Sequence, residues 1–535
     1  MAKRGHAVVL AGRRGSRLLD RATEASVQTR SVRTGGVRGV VALRSLLAAQ
    51  RPDALFIGRD AELHDFCLAT WWGRRPLLFQ RRRNDEEFAT GRVTRLAYGR
   101  CVTRFLHNGA VRRSPHLRED LVREVRDGVD TSVEPASIDR SAMRRSLRLP
   151  RKGKIVLHVG ELGPPQETTL RALAATREAD TPSTLAFIGT GAAEPRLRDL
   201  CHELGVQERV LWLGFRSNVE EYLSAADLLV LPTCGDDVPR TALEAMAHGL
   251  PVVASTASGA AVLIEDGING LLVPADDPAA LAAAVQRLVD DTPRADSFAR
   301  RGFETIRRHW SLEAMLDDLE CLVYAHLLRQ QLPARRPALF LDRDGTLVDN
   351  VPYNGDPEQV RLVPGVGRAL RWVRDAGFPM IVVSNQSGVA QGLLSEADLQ
   401  RVNARMRELL QRTGSDVDAI YVCPHHPEHG PACKCRKPQP GLLWRAAEEL
   451  GIDLSASLMV GDAPRDLEAG ARAGTQRVGF SSEETTQIAA GELLYRSWTA
   501  LVRDFLRALH SGERLDASVR DDAQQSRASA PTRSG

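Results

Sequence analysis

Several features are missing from this chain of 535 residues. It has no apolar run of the roughly 18 residues that a membrane-spanning helix needs, and the apolar stretch near its start is too short for the core of a signal peptide. We therefore expect a cytoplasmic location. Lysine is scarce, since nearly all of the positive charge is arginine, and a lysine in a candidate active site is therefore a candidate functional residue. The five lysines are Lys3, Lys152, Lys154, Lys434 and Lys437.

Motifs for nucleic-acid binding are also missing, although the charge is unevenly distributed. Residues 1–150 contain 30 Lys and Arg against 16 Asp and Glu, whereas the remainder is acidic and the whole chain carries a net charge of +4. A basic segment of this kind is typical of proteins that bind nucleic acid, an anionic membrane surface or a phosphorylated ligand. Without a motif we expect no nucleic-acid partner, and a peripheral contact with an anionic membrane stays open.

The chain is too long for one compact core, so about three domains are expected. Apolar runs typical of strands alternate with helical patterns, which predicts an α/β fold with parallel sheets. The polar residues 331–336, flanked by prolines, are the predicted linker to a domain over residues 337–510. Residues 511–535 have few large apolar side chains and are predicted to be disordered.

Reactive side chains follow the predicted strands of the 337–510 domain. Asp342 and Asp344 come directly after one strand, and Ser384 ends the next. Asp462 follows a further strand, and Lys437 lies in the connection before it. Because the carboxyl ends of parallel strands meet at one edge of a sheet, we expect these side chains to converge there.

Such a set of side chains can hydrolyse a phosphate ester in two steps. Asp342 is the candidate nucleophile that forms a covalent aspartyl-phosphate, and Asp344 is the candidate general acid and base. Carboxylates and a phosphate need a cation between them, so we predict Mg²⁺ bound by Asp342, the backbone carbonyl of Asp344 and Asp462. Ser384 and Lys437 are predicted to hold the phosphoryl oxygens. The alternative interpretation makes the aspartates turn residues and helix caps.

These residues stand in recognisable motifs. Asp342-Arg-Asp-Gly-Thr346, Ser384, Lys437 and Gly461-Asp-x-x-x-Asp466 resemble the four motifs of the haloacid dehalogenase (HAD) superfamily. Together with the segment from Cys423 to Pro438, which contains three cysteines, these motifs look like those of bacterial heptose-bisphosphate and histidinol-phosphate phosphatases. The resemblance covers about residues 337–482 and implies a HAD-type domain in which further side chains hold the substrate. The substrate-binding residues implied in this way are Arg343, Asn350, Tyr353, Ser384, Asn385, Gln386, Ser387, Arg436 and Lys437.

Three of the eight cysteines crowd into one short segment together with a histidine. One imidazole and three thiolates at this spacing form a closed, structural zinc site, with no open position for catalysis. His426 and His429 are competing ligands. The zinc would fix the loop beside Arg436 and Lys437. The predicted ligands are Cys423, His425, Cys433 and Cys435.

A second set of motifs lies in residues 150–330. Leu213-Gly-Phe215, Glu244-Ala-Met-Ala-His-Gly-Leu-Pro251 and Asp266-Gly-Ile-Asn-Gly270 are similar to the donor-binding half of retaining glycosyltransferases of the GT-B class, family 4. The resemblance implies a pair of Rossmann-like domains before the HAD-type domain. These are an acceptor-side domain over 1–135, without its first strand, and a donor-binding domain over 136–330.

The same resemblance implies a nucleoside-diphosphate sugar contacted by Asp236 and Glu244, with the diphosphate near a helix that begins around Arg240. Four residues depart from the family pattern. Asp236 and Val262 each stand in place of a family Glu, and Glu161 and Gln166 stand where Arg and Lys usually neutralise the diphosphate. A carboxylate there would repel a diphosphate. Glycosyl transfer and a degenerate binding module both stay open.

The sequence therefore predicts a fusion of a GT-B-like module and a phosphatase. The resemblance implies that a phosphorylated sugar, D-glycero-D-manno-heptose 1,7-bisphosphate, is converted to the 1-phosphate on the way to nucleotide-activated heptose for surface glycans such as lipopolysaccharide. Histidinol phosphate is the alternative substrate, and a protein that is mainly a glycosyltransferase is the alternative function. Every proposed phosphatase residue lies beyond 337, so a fragment over 333–512 is expected to be active alone.

Overall fold

The structure is a computed structural model that describes the chain except residues 33–34, 59, 71–75, 82–100, 108–121, 177–182, 236–237, 427, 429–432, 482–492 and 516–535. The chain divides into two compact units, residues 1–316 and 317–535. Within the described ranges, no helix combines the length and the hydropathy needed to cross a membrane. Most of the predicted disordered tail lies outside the described residues.

The first unit contains three parallel sheets. Two strands form the first sheet in the order β1-β2, and four form the second in the order β3-β4-β5-β6. The third sheet has six strands in the order β12-β11-β10-β7-β8-β9. The strands are β1 Val9–Gly12, β2 Gln28–Ser31, β3 Ala54–Ile57, β4 Leu77–Arg81, β5 Arg104–His107, β6 Val122–Glu124, β7 Lys154–Val159, β8 Ser183–Ile188, β9 Val210–Gly214, β10 Leu228–Leu231, β11 Val252–Ser255 and β12 Leu271–Val273.

Helices alternate with these strands, as expected for parallel sheets whose connections cross over. Two apolar cores lie around the six-stranded sheet, and most of its central strand residues are fully buried. The helices are α1 Arg17–Glu24, α2 Gly36–Gln50, α3 Asp60–Ala69, α4 Arg140–Ser146, α5 Pro164–Ala175, α6 Glu194–Glu203, α7 Val219–Ala225, α8 Arg240–Ala247, α9 Pro278–Asp290, α10 Thr292–His309 and α11 Leu312–Arg329, the last of which runs into the second unit.

The second unit is built on one parallel sheet with the strand order β15-β14-β13-β16-β17-β18. Its strands are β13 Leu339–Leu341, β14 Met380–Asn385, β15 Ala419–Cys423, β16 Leu458–Gly461, β17 Gln476–Phe480 and β18 Leu494–Tyr495. Its further helices are α12 Val366–Ala376, α13 Glu396–Arg412, α14 Gly441–Leu450, α15 Pro464–Ala473 and α16 Trp498–Ser511.

The central strands of this sheet are buried on both faces. Leu339, Phe340 and Leu341 of β13 are inaccessible to solvent, which is why β13 reads as an unbroken apolar run and not as an alternating pattern. Neighbouring strands β14 and β16 pair with β13 in parallel register. Their carboxyl ends therefore lie side by side at one edge of the sheet.

The boundary between the two units falls inside α11 and not in the predicted linker 331–336. On this helix, Asp318 pairs with Arg368 of α12, and Asp317 pairs with Arg503 of α16. Both carboxylates are buried. Because their partners lie beyond residue 337, the greater part of α11 packs as an element of the second unit. An acidic helix gives no sign in the sequence that its carboxylates are buried, and so the pattern placed the helix in the preceding domain.

Candidate active site

Three strand ends bring the predicted phosphatase residues together. Asp342 follows β13, Ser384 lies at the end of β14, and Asp462 follows β16. The amide of Asp342 donates to the carbonyl of Val460 at 2.9 Å, so this candidate nucleophile is anchored directly beside β16. The convergence expected from the sequence is present.

Lys437 provides a buried positive charge at this edge. Its Nζ lies 2.6 Å from Asp342 Oδ1 and 2.7 Å from Asp466 Oδ1, and it donates to the carbonyl of Val383 at 2.8 Å. Burial alone would lower the pKa of Lys437, but the two carboxylates more than offset it, and its pKa is raised. The side chain therefore stays an ammonium ion, as a ligand for phosphoryl oxygens must.

Asn385 fixes the backbone of that lysine. Its side-chain Nδ2 donates to the carbonyl of Lys437, and its Oδ1 accepts from the amide of Lys437, each at 3.0 Å. The lysine thus takes its position from β14, which also carries Ser384. Asn385 was predicted to hold substrate; the contacts in this structure are with the lysine backbone.

Asp344 has a separate set of partners. Both its carboxylate oxygens accept from Arg343, at 2.9–3.1 Å, and Oδ2 also accepts from Gln386 Nε2 at 2.6 Å. The same Gln386 nitrogen lies 2.9 Å from Ser384 Oγ. Arg343 is 2% exposed, so its guanidinium faces Asp344 and not an open pocket.

Asp342, Asp462 and Asp466 can offer one carboxylate oxygen each within 4.8 Å of one another, which is a suitable set for a hard cation. Asp462 Oδ1 is buried and has no hydrogen-bond partner among the described residues. Burial and the charges of the other two aspartates raise the pKa of Asp462 to about 7. A divalent cation would relieve both costs. Gly345 leaves the necessary space, since a Cβ there would lie 2.1 Å from Asp462 Oδ2.

The cysteine-rich segment forms a second cluster of potential ligands. One atom from each of the four predicted residues lies within 4.8 Å of the others, and the histidine nitrogen is Nδ1 of His425. Cys423 Sγ lies 3.6 Å from Cys433 Sγ and 3.4 Å from Cys435 Sγ. Tetrahedral zinc with bonds of about 2.3 Å places its sulfur ligands about 3.8 Å apart. His426 accepts a hydrogen bond from the amide of Glu428, and His429 lies outside the described residues.

The remaining predicted substrate residues are more accessible to solvent than the set around Asp342 and Lys437. Tyr353 is 51% exposed and has a positive φ of 51°; Asn350 is exposed and Ser387 half-buried. Arg436 Nη1 donates to the carbonyl of His425 at 2.9 Å, which links it to the cysteine cluster. The role of these accessible residues in binding the rest of a substrate stays a prediction.

In the first unit, helix α8 begins at Arg240 as predicted. Glu244 on this helix pairs with Arg240, whose Nε lies 2.6 Å from its Oε1. Asp236 lies outside the described residues. Among the described residues, no further contact of the Glu244 side chain bears on the predicted nucleotide sugar, and that role stays a prediction.

Gln166 at the departure from the family pattern is 2% exposed. Its Nε2 lies 3.1 Å from Nε2 of His158 and donates to the carbonyl of Glu161 at 3.0 Å, while its Oε1 accepts from the amide of Gly163 at 2.8 Å. Burial lowers the pKa of His158 to about 3, so the imidazole is neutral. The glutamine therefore holds the loop after β7 by hydrogen bonds, and its side chain points into the protein. A cationic side chain that binds a diphosphate would have to point outward from the same position.

Comparison with known proteins agrees with both halves. Residues 353–474 match the haloacid dehalogenase-like hydrolases. A stretch of 155 residues is 38% identical to the D-glycero-beta-D-manno-heptose-1,7-bisphosphate 7-phosphatase of Rhodopseudomonas palustris, and it covers 28% of this chain and 86% of that protein. The chain belongs to the haloacid dehalogenase-like hydrolases. The predicted phosphatase domain of this superfamily is confirmed.

In this hydrolase, residues 153–291 also match the group 1 glycosyl transferases. A glycosyltransferase from Rickettsia africae shares the fold at 15% identity with a TM-score of 0.52, over 60% of this chain and 90% of that one. The Anabaena protein Alr3699/HepE, solved in complex with UDP, is similar at 19% identity with a TM-score of 0.50, over 59% of this chain and 98% of that one. The GT-B-like fold expected from the sequence is confirmed.

Two residues of the hydrolase site were missed by the sequence analysis. Asp466 was quoted as part of a motif but given no role beyond a helix cap; it caps α15 by accepting from the amide of Ala463, and it also pairs with Lys437. The motif itself was the signal that could have found it. Asn403 on α13 contacts Arg343 at 2.9 Å, and nothing in its sequence neighbourhood marks it.

Proposed function

We propose that the second unit hydrolyses D-glycero-D-manno-heptose 1,7-bisphosphate to the 1-phosphate through an aspartyl-phosphate on Asp342. The observation that supports it most is the ammonium of Lys437 seated between Asp342 and Asp466, at a strand edge where the sequence is 38% identical to a phosphatase named for this substrate. Such a site suits a dianionic phosphoryl group next to a carboxylate nucleophile.

In the first step an oxygen of Asp342 attacks phosphorus, and the bond from phosphorus to the sugar oxygen breaks. Asp344 donates its proton to that departing oxygen. Lys437 and Ser384 hold the phosphoryl oxygens during the transfer. The buried contacts of Asp342 keep it in place, so little reorganisation is needed as charge moves onto the phosphoryl group.

In the second step Asp344, now a carboxylate, takes a proton from a water molecule, whose oxygen attacks phosphorus. The bond between phosphorus and Asp342 breaks, which releases inorganic phosphate and restores both aspartates. Mg²⁺ would be held by Asp342, Asp462 and the backbone carbonyl of Asp344, and it would neutralise charge between carboxylates and phosphate.

Exposed and half-buried residues are the proposed contacts for the rest of the sugar. Arg436, Asn350, Tyr353 and Ser387 offer hydrogen-bond donors at the rim, and Arg436 suits a second phosphate. We also propose a structural zinc ion at Cys423, His425, Cys433 and Cys435, supported by their tetrahedral spacing. Because Arg436 donates a hydrogen bond to the carbonyl of His425, the zinc ion would also fix the position of Arg436.

For the first unit we propose no more than weak binding of a nucleoside-diphosphate sugar. The fold supports such a ligand, whereas the inward Gln166 and the exposed Glu161 remove positive charge from the diphosphate position. The peripheral contact with an anionic membrane finds no support in the described part of residues 1–150.

Phosphate release by the purified full chain tests the substrate. We expect higher kcat/KM for heptose 1,7-bisphosphate than for histidinol phosphate, with Mg²⁺ required and chelation reversibly inhibitory. Phosphorus NMR of the product should show the phosphate at position 1 retained. Preference for histidinol phosphate, or loss of the 1-phosphate, would contradict the proposed function.

A further inference from the structure

The carboxyl group of Asp344 is held at both oxygens by an arginine that is itself held from another helix. We propose that Asn403, acting through Arg343, is a positioning residue that orients Asp344 for proton transfer. This inference rests on the proposed function, because it concerns the acid and base of that reaction. It gives Arg343 a role inside the protein in place of the substrate contact that the family resemblance implies.

The arginine and Asp344 form a two-pronged contact. Arg343 Nε lies 3.0 Å from Asp344 Oδ1, and Nη2 lies 2.9 Å from Oδ2. A guanidinium and a carboxylate joined at two points share a plane, so the contact fixes the rotation of the carboxyl group as well as its distance. Neighbouring residues on an extended backbone point to opposite faces, and a close pair of this kind therefore needs a turn, which the segment from Asp342 to Gly345 supplies.

Asn403 fixes the arginine from the other side. Its Oδ1 accepts from Arg343 Nη1 at 2.9 Å. Arg343 is 2% exposed, so water cannot readily replace that acceptor. Without it, a buried guanidinium donor would be left unsatisfied, and the side chain would gain by turning toward another acceptor. The helix α13 thereby determines where Asp344 stands.

Gln386 completes the arrangement on the side of the phosphoryl group. Its Nε2 lies 2.6 Å from Asp344 Oδ2 and 2.9 Å from Ser384 Oγ. The general acid is therefore linked to the residue that holds the phosphoryl oxygens. Loss of the arginine contact would leave Asp344 tethered at one oxygen and free to rotate about that contact.

Dependence on the leaving group distinguishes positioning of an acid from general damage to the site. A sugar hydroxyl leaves poorly unless it is protonated, whereas p-nitrophenolate leaves without help, so only the first substrate needs an oriented acid. The constant kcat/KM covers the steps up to departure of the leaving group. It is therefore insensitive to the second step, in which Asp344 serves both substrates as a base.

The test compares Asn403→Leu with the wild-type full chain on heptose 1,7-bisphosphate and on p-nitrophenyl phosphate. We expect kcat/KM for the heptose substrate to fall by about 10²-fold, with a much smaller loss for p-nitrophenyl phosphate. KM for the heptose substrate should change little, because Asn403 touches no substrate. Gln400→Leu is the matched control, since Gln400 is exposed on the same helix, and it should leave both constants unchanged.

Equal losses for the two substrates in a variant that unfolds at the same temperature as the control would overturn the positioning role. So would an unchanged rate on the heptose substrate. A wild type that releases phosphate from neither compound would instead defeat the proposed function, and the inference with it. The wild-type measurement therefore separates the two failures.

Discussion

Lys437 Nζ and Asp342 Oδ1 lie 2.6 Å apart although their residues are 95 positions apart in the chain. The lysine also reaches Asp466, so one buried cation balances two carboxylates. A buried charge without a partner is costly, and each member of this group therefore depends on the others. A substitution at any of these positions can destabilise the fold as well as slow catalysis. Thermal unfolding should therefore be measured for each variant together with its rate.

Replacing Asp342, the proposed nucleophile, should abolish catalysis without unfolding the chain. We expect Asp342→Asn to release no phosphate, because an amide cannot form the aspartyl-phosphate. Asp344→Asn should slow turnover by about 10²–10⁴-fold, the usual contribution of a general acid or base. Phosphate release and thermal unfolding of both variants check this. A near-normal rate in folded Asp342→Asn protein would contradict the mechanism.

Removing two of the proposed zinc ligands should affect substrate binding more than the chemical step. Elemental analysis should find one zinc per chain in the wild type and none in the double variant Cys433→Ser and Cys435→Ser. KM should rise more than kcat falls, because Arg436 is linked to His425 whereas Lys437 is held by Asn385.

The control is Cys234→Ser, which removes an exposed thiol in the first unit. This variant should contain as much zinc as the wild type. Wild-type protein purified without chelators and found to contain no zinc would refute the site. A fall in kcat with unchanged KM would mean that the loop also fixes the lysine.

The phosphatase unit should need α11 to be stable. A fragment over 311–515 retains the acidic helix, whereas one over 333–515 leaves Arg368 and Arg503 without Asp318 and Asp317. Removing one partner of a buried ion pair costs about 3–5 kcal/mol. Urea unfolding should therefore give a clearly lower midpoint for the shorter fragment. Equal midpoints would restore the sequence-based expectation that the region from 333 onward is self-sufficient.

Nucleotide-sugar binding by the first unit should respond to the charge at residue 161. Calorimetry with UDP-glucose should detect little binding at millimolar concentration in the wild type. Glu161→Arg should strengthen it by replacing repulsion with attraction. Glu208→Arg makes the same change at another exposed position and should have no effect. Micromolar binding by the wild type would show that the departures from the family pattern are harmless.

The sequence predicts much of the fold because buried strands of parallel sheets are unbroken apolar runs. Leu228–Leu231, for example, is buried at all four residues and consists of leucine and valine alone. Short strands at the sheet edge escape this signal. The edge strand Leu494–Tyr495 has two residues, and Val122–Glu124 carries charges at two of three positions.

For the site, strand order was sufficient to bring Asp342, Ser384 and Asp462 together, since parallel strands end at one edge. The orientation of each side chain was not predictable, because it depends on partners from other elements. The resemblance implied that Arg343 binds substrate, whereas in the structure its guanidinium donates to Asn403 on α13. The burial of the acidic face of α11 similarly could not be predicted, because its arginine partners follow it by 50 residues or more in the chain.

The paired hydrogen bonds between Asn385 and the backbone of Lys437 have a consequence for how such enzymes can diversify. Since β14 carries the asparagine, we expect the ammonium group of Lys437 to keep its place when the cysteine-bearing segment before it is changed. We therefore expect exchange of that segment for one from another phosphatase to alter substrate preference more than phosphoryl transfer. Grafting a foreign loop between Cys423 and Arg436 is thus a route to new substrates that begins from a working catalyst.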